Sequence, residues 1–174
     1  MYPTAYLDYL IYFHVERDYF ECHEVLEEYW KEHDPKNRTS IWVGLIQVAV
    51  GLYHHRRGNR NGAIRMYEKA ISILEKQKTA LSELGLHKSD LIRQLQSQHQ
   101  LASNTRNTFH DINLTFSKED LLPACIERCQ QLGLTWTTTS TPKEDIIYKH
   151  KLRDRSDIIR ERQQQLKRNQ TNDE

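Results

Sequence analysis

Residues 20–30 read FECHEVLEEYW and set an imidazole, His23, beside the carboxylates Glu24 and Glu27, with Phe20 and Trp30 at either end. On a helix, His23 and Glu27 stand at i and i+4 and point at one spot, so they form half of a metal site that His54 or Glu24 would extend to three ligands. The helical H-E-x-x-H pattern of hydrolytic zinc sites has a second histidine where Glu27 stands, and the E-x-x-H pairs of four-helix di-iron sites do not occur. Acid–base chemistry is a second reading, because histidine titrates near neutral pH and a neighbouring carboxylate orients it. No nucleophile, phosphate-cradling glycine loop or cofactor motif accompanies it, and no cofactor is implied. A third reading is a satisfied polar network of His23, Glu27 and Gln47 that locks helices in register. A fourth is a groove in which a protein or peptide partner meets the His-Glu edge and its aromatic rims.

Those side chains need helices to hold them, and the sequence supplies little else. Six glycines and four prolines in 174 residues leave few turns and favour long helices. Pro3 opens a first helix to about Val15, and Asp18 caps a second that Asp34-Pro35 ends. Ser40 starts a third helix, stopped at Gly58-Asn59, and a fourth runs from near Asn61 to Leu84, with Gly85 as its stop. Asp90 opens a fifth helix to about Phe109, and Ser117 begins a sixth that ends at Gly133. The string LTWTTTST that follows has strand-like composition but no partner strand, and reads as an ordered linker. Thr141-Pro142-Lys143-Glu144 is a capping box for a last, charged helix to about Lys167. The expectation is an all-α, compact helical bundle. Residues 1–86 form the hairpin core, 87–141 pack on it, and 142–174 are a charged helix and tail.

The second helix carries a continuous apolar arc of Tyr19, Cys22, Val25, Leu26, Tyr29 and Trp30, and His23 and Glu27 sit at its border. The third helix is apolar nearly all round, yet sets Gly44, Gln47, Gly51 and His54 on one stripe. Two glycines on one helical face predict close approach of a neighbour or ligand, and Gln47 must find partners. Pairing the two helices antiparallel places Glu27 near Gly44, Glu24 near Gln47 and Phe20 near Gly51. The candidate site is therefore a half-buried patch of His23, Glu24, Glu27 and Gln47, with His54 at one end and Phe20 and Trp30 as walls. His33 and His55 read as surface residues.

The segments at residues 17–30 and 58–71 superpose weakly at an offset of 41 residues, and GLYHHRRGNRNGAIRMYEKA is similar to a tetratricopeptide unit, in which small residues sit where paired helices touch. One and a half such units make a hairpin within a bundle, not an open superhelix. Over about residues 12–75 the chain resembles the bacterial domain-of-unknown-function 309 family. The signature F-x-x-H-E-x-x-E-x-x-W, a glutamine-bearing helix and a G-N-x-x-G-A turn are met by Phe20, His23, Glu24, Glu27, Trp30, Gln47, Gly58, Asn59, Gly62 and Ala63. The whole layout resembles the longer form found in bacilli. The resemblance implies an all-helical fold and supplies no activity.

The net charge of +1 conceals an asymmetry: residues 1–35 hold nine acids and two bases, while 143–168 hold nine bases and five acids. The two ends attract each other, within the chain or in a second copy as a homo-oligomer, or each attracts a partner. Interleaved acids, and a single aromatic at the start of the basic helix, argue against nucleic acid. The longest uncharged run, residues 39–55, is too short for a membrane span and contains Gln47. No basic start or cleavage site marks residues 1–10, so a cytoplasmic location is expected. Cys22, Cys125 and Cys129 lack a C-x-x-C pair and read as reduced packing residues. The function most consistent with these residues is a protein or peptide interaction module, the alternative a metal-binding protein or metal-dependent hydrolase using His23 and Glu27.

Overall fold

The computed structural model describes residues 1–106 and 108–152, together with Arg160 and Gln164. Among these the secondary structure is helical, with one isolated bridge between Leu86 and Phe116 and no strand. Helix α1 (Thr4–Ile11) follows Pro3 and widens into a π-helical turn (Tyr12–Glu16) that ends at Arg17 in the left-handed region, φ 55°. Its rings are fully buried, and their hydroxyls reach out of the core to carbonyls: Tyr6 donates to Leu84 O at 2.9 Å and Tyr9 to Leu45 O at 3.0 Å. Such bonds offset the cost of burying a phenol.

Helix α2 (Tyr19–His33) starts where the Asp18 carboxylate accepts the Glu21 N–H at 3.0 Å, and stops at Asp34 as the sequence predicts. Trp30 closes the following turn by donating to Asn37 O at 3.1 Å. Helix α3 (Ile41–Arg56) is capped by Ser40, and α4 (Arg60–Leu74) by Asn59. Helices α2, α3 and α4 pack in series, α3 lying between the other two, and α4 then packs on α6 (Lys88–Ser103). The glycine stripe of α3 backs onto α4 and not onto α2. A Cβ at Gly44 would lie 2.6 Å from Leu74 Cδ2, and one at Gly51 2.7 Å from the Tyr67 ring. The close approach inferred from the glycines is real, but the neighbour is the next helix in the chain.

The expected continuous helix to Leu84 is broken. A turn at Glu75–Gln77 separates α4 from the short α5 (Lys78–Glu83). A straight continuation would carry Leu81 and Leu84 about 10 to 15 Å past Leu74 along the axis. The break folds both back into the core, where Leu81 is fully buried. Helix α7 (Leu121–Gln131) returns to α1, tied by Arg128 to Asp8 at 2.6 Å and by the Tyr2 hydroxyl to Asp120 at 2.8 Å. Two single turns, α8 (Glu144–Ile147) and α9 (Lys149–Leu152), follow. The expected extension of this helix to Lys167 lies outside the described residues apart from Arg160 and Gln164.

The threonine-rich string between α7 and α8 is held as an ordered linker. Its anchor is Arg17, 3% exposed, whose guanidinium donates to Ile112 O, to Asn113 Oδ1 and to Thr138 O at 2.7 to 2.9 Å. Each bond places a buried cation against an acceptor, which a charge removed from water requires. The three cysteines are free and buried. Among the described residues, no helix is long and apolar enough to cross a membrane.

Candidate functional site

The Asp18 cap fixes the first turn of α2, and this sets the azimuth of Phe20, His23, Glu24 and Glu27. His23 lies between the two acids. Its Nδ1 is 3.1 Å from Glu24 Oε1 and its Nε2 3.3 Å from Glu27 Oε2, while Lys31 reaches the other Glu27 oxygen at 3.2 Å. The three acid and imidazole side chains are each about one-third exposed, so these contacts hold the ring's orientation more than they stabilise the fold. One ligand atom from each of His23, Glu24 and Glu27 lies within 4.8 Å of the others.

Beside this edge lies a recess of about 220 Å³ between α2 and α3. Phe20, Tyr53 and His54 wall it, Val50 lines its floor, and Arg57 and His150 complete the rim. Phe20 meets Tyr53 edge-on at 5.8 Å and His23 at 6.3 Å. The Arg57 guanidinium lies over the Tyr53 ring at 4.7 Å. Burial lowers the pKa of His54, and the nearby cations Arg57 and Arg65 push the same way, so the ring is neutral at pH 7. His54 Nδ1 accepts a hydrogen from Asn59 Nδ2 at 3.1 Å, while Asn59 Oδ1 accepts the Gly62 N–H at 3.1 Å. A Cβ at Gly62 would strike the Asn59 amide at 2.7 Å. The turn G-N-x-x-G-A thus caps α4 and orients His54 with one side chain.

Of the residues singled out in the sequence, Phe20, His23 and His54 share the recess, and Glu24 and Glu27 form its polar margin. Trp30 stands apart at the far end of α2, 7% exposed, with Arg38 stacked over it at 5.1 Å as part of the turn to α3. Gln47 is half-buried and does not line the recess. Its Oε1 is enclosed without a hydrogen-bond partner among the described residues. His55 is not a surface residue: it is 5% exposed, with Nδ1 3.1 Å from the Tyr67 hydroxyl and Phe109 against its ring. It follows His54 by 100° around the helix, enough to turn it from the cleft to the core. Tyr53 and Arg57 were missed in the sequence, although their i, i+4 spacing on the helix facing α2 is an aromatic–cation signal.

A second recess, about 650 Å³, adjoins the first around the start of α2. Glu16, Asp18, Glu21, Glu24 and Asp145 supply its carboxylates, and Lys149 reaches Asp18 and Glu21, each at 2.7 Å. Burial opposes the Lys149 charge, but the hydrogen bonds and charges of the two acids outweigh it and the pKa is raised. Through Lys149, one base of the expected basic end meets the acidic start of the same chain.

An all-helical bundle with a motif-bearing helix pair and an aromatic recess is the class that fold and site define. The domain of unknown function 309 (DUF309) model matches residues 6–66, which include every motif position from Phe20 to Ala63. The chain is also 47% identical over 169 residues, 97% of each protein, to the Bacillus subtilis (strain 168) protein called uncharacterized protein YpuF. The chain belongs to the DUF309 family. No solved structure matches it.

Proposed function

We infer that the protein is an interaction module whose binding surface is the α2–α3 recess and its His23–Glu24–Glu27 margin. The observation that carries this reading is the recess itself. Aromatic and imidazole rings from two helices converge on a concavity large enough for one side chain of a partner, with charged groups at the rim. That is the layout of a pocket that accepts an anchoring side chain from a peptide. The test is selection of displayed peptides against the full chain, followed by Phe20→Ala and His23→Ala. Selected peptides should lose about 30-fold in affinity with Phe20→Ala, equivalent to about 2 kcal/mol, while helical content stays unchanged. Peptides that bind both variants as well as the parent would remove the recess from the reading.

One observation favours a second reading. His23, Glu24 and Glu27 offer three ligand atoms within 4.8 Å, the set from which a divalent transition metal is bound by imidazole and carboxylates. His54 is not part of that group among the described residues. Titration with Zn²⁺ or Mn²⁺ should then raise the melting temperature of the parent and leave His23→Ala unmoved. Equal shifts in both proteins would discard this reading.

A further inference from the structure

Part of the recess wall is supplied by the chain's own end. Residues 144–152 cross the mouth of the site as α8 and α9. Lys149 enters the acidic recess, and the next residue, His150, enters the aromatic one. The His150 backbone N–H donates to the Tyr53 hydroxyl at 2.9 Å. Its ring stands perpendicular to Tyr53 with centroids 5.6 Å apart, and its Nδ1 lies 2.6 Å from Arg57 Nη1. One dipeptide thus reaches into both halves of the site and lines each.

Two features bear on the exchange of this strap and on what would replace it. First, α8 buries none of its residues, so its own apolar contacts hold it weakly. Second, the Asp18 side chain is 3% exposed, and its two oxygens are divided between the Glu21 N–H and the Lys149 ammonium. A replacement segment that covers this carboxylate again must bring a cation to it, as the strap does. Outside the strap, four carboxylates, Glu16, Asp18, Glu21 and Glu24, line this recess, and the ammonium of Lys149 is the single cation in its lining among the described residues, so its charge favours a basic occupant.

We propose that residues 144–152 are an internal occupant of the site, and that the partner is a protein segment presenting a lysine followed by a histidine, which displaces them. This rests on the recess being a binding surface. The strap then sets the threshold for binding: a partner must outcompete a copy of its own recognition element held on the same chain.

The probe is a fluorescent peptide of residues 142–152, PKEDIIYKHKL, titrated into the full chain, into Lys149→Ala/His150→Ala, and into that double variant carrying Glu21→Lys. If the strap occupies the site nine-tenths of the time, the double variant binds the peptide about tenfold more tightly than the parent. Glu21→Lys removes the gain, and melting curves confirm that each variant is folded. Equal affinity for parent and double variant overturns the proposal, as does absence of binding to the double variant or binding that survives Glu21→Lys. A parent that is dimeric, and becomes monomeric in the double variant, assigns the occupant to a second copy and also overturns it. If the strap fails while library-selected peptides still depend on Phe20, the recess remains a binding surface. Loss of that Phe20 dependence is what defeats the recess itself.

Discussion

Two histidines nine residues apart in this chain have both ring nitrogens engaged, and they do opposite things. His14, in the π-helical turn, is 1% exposed. Its Nδ1 lies 2.9 Å from Leu10 O, and its Nε2 accepts the Leu114 N–H at 3.0 Å, joining segments 100 residues apart. The backbone donor at Nε2 fixes the tautomer, with the proton on Nδ1, and Phe13, Phe116 and Trp136 pack around the ring. His23 faces carboxylates in place of backbone, in reach of water, with a concavity beside it. Enclosure and backbone partners make His14 a pin of the fold. Partial exposure and ionisable partners leave His23 with chemistry to offer an incoming group.

The contrast can be broken by experiment, and removing the pin should have the largest effect. His14→Ala orphans a buried carbonyl and a buried N–H and opens a cavity between three rings, so it should cost about 4 kcal/mol, read by chemical denaturation. A loss under about 1 kcal/mol would deny its role. Acid should act through the same residue. Burial, aided by the nearby Arg17 charge and opposed by the bond to Leu10 O, lowers the His14 pKa from 6.5 to about 4. The unfolded chain then binds the extra proton first. Stability conferred by the neutral ring is present above pH 6.5 and drains away as pH falls towards about 4, reaching about 3 kcal/mol. A denaturation series across this window checks the slope, which should flatten in His14→Gln. Next in size, Gly51→Ala drives a methyl group into the Tyr67 ring and should cost about 2 kcal/mol. An unchanged midpoint would mean that α3 and α4 separate freely. Smallest of all, His23→Ala should cost under about 1 kcal/mol in thermal unfolding, because its ion pairs are part-exposed. A loss as large as that of His14→Ala would make His23 a second pin and erase the comparison.

The helical class and most turns were legible because their signals are local. Asp18 and Ser40 cap the helices that their side chains predict, and Asp34-Pro35 ends α2, whereas Asn59, expected only to stop α3, caps α4. What escaped depends on partners distant in sequence. The break after Leu74 contains neither glycine nor proline and is imposed by a core that draws Leu81 and Leu84 inward. The glycine stripe announced a close neighbour but not which one, since periodicity fixes a face of a helix without saying what covers it. Within the site, Phe20, His23 and Glu27 could be found from one helix alone. Tyr53 and Arg57 needed the relative rotation of two, and His150 needed a contact across 97 residues. Charge was the exception to this rule of locality: the acidic start and basic end foretold the Lys149 contact because electrostatic complementarity does not depend on sequence separation.

Arg17 carries a consequence for the order in which the molecule can be completed. Its guanidinium takes acceptors from Ile112, Asn113 and Thr138, the last of them 121 residues downstream. A ribosome delivers the whole helical front of the chain before it delivers that carbonyl, so during synthesis the cation at the end of the π turn waits in water for this ligand. The threonine string is thus a late latch, and the turn that Arg17 closes reaches its finished state only after Thr138 has emerged.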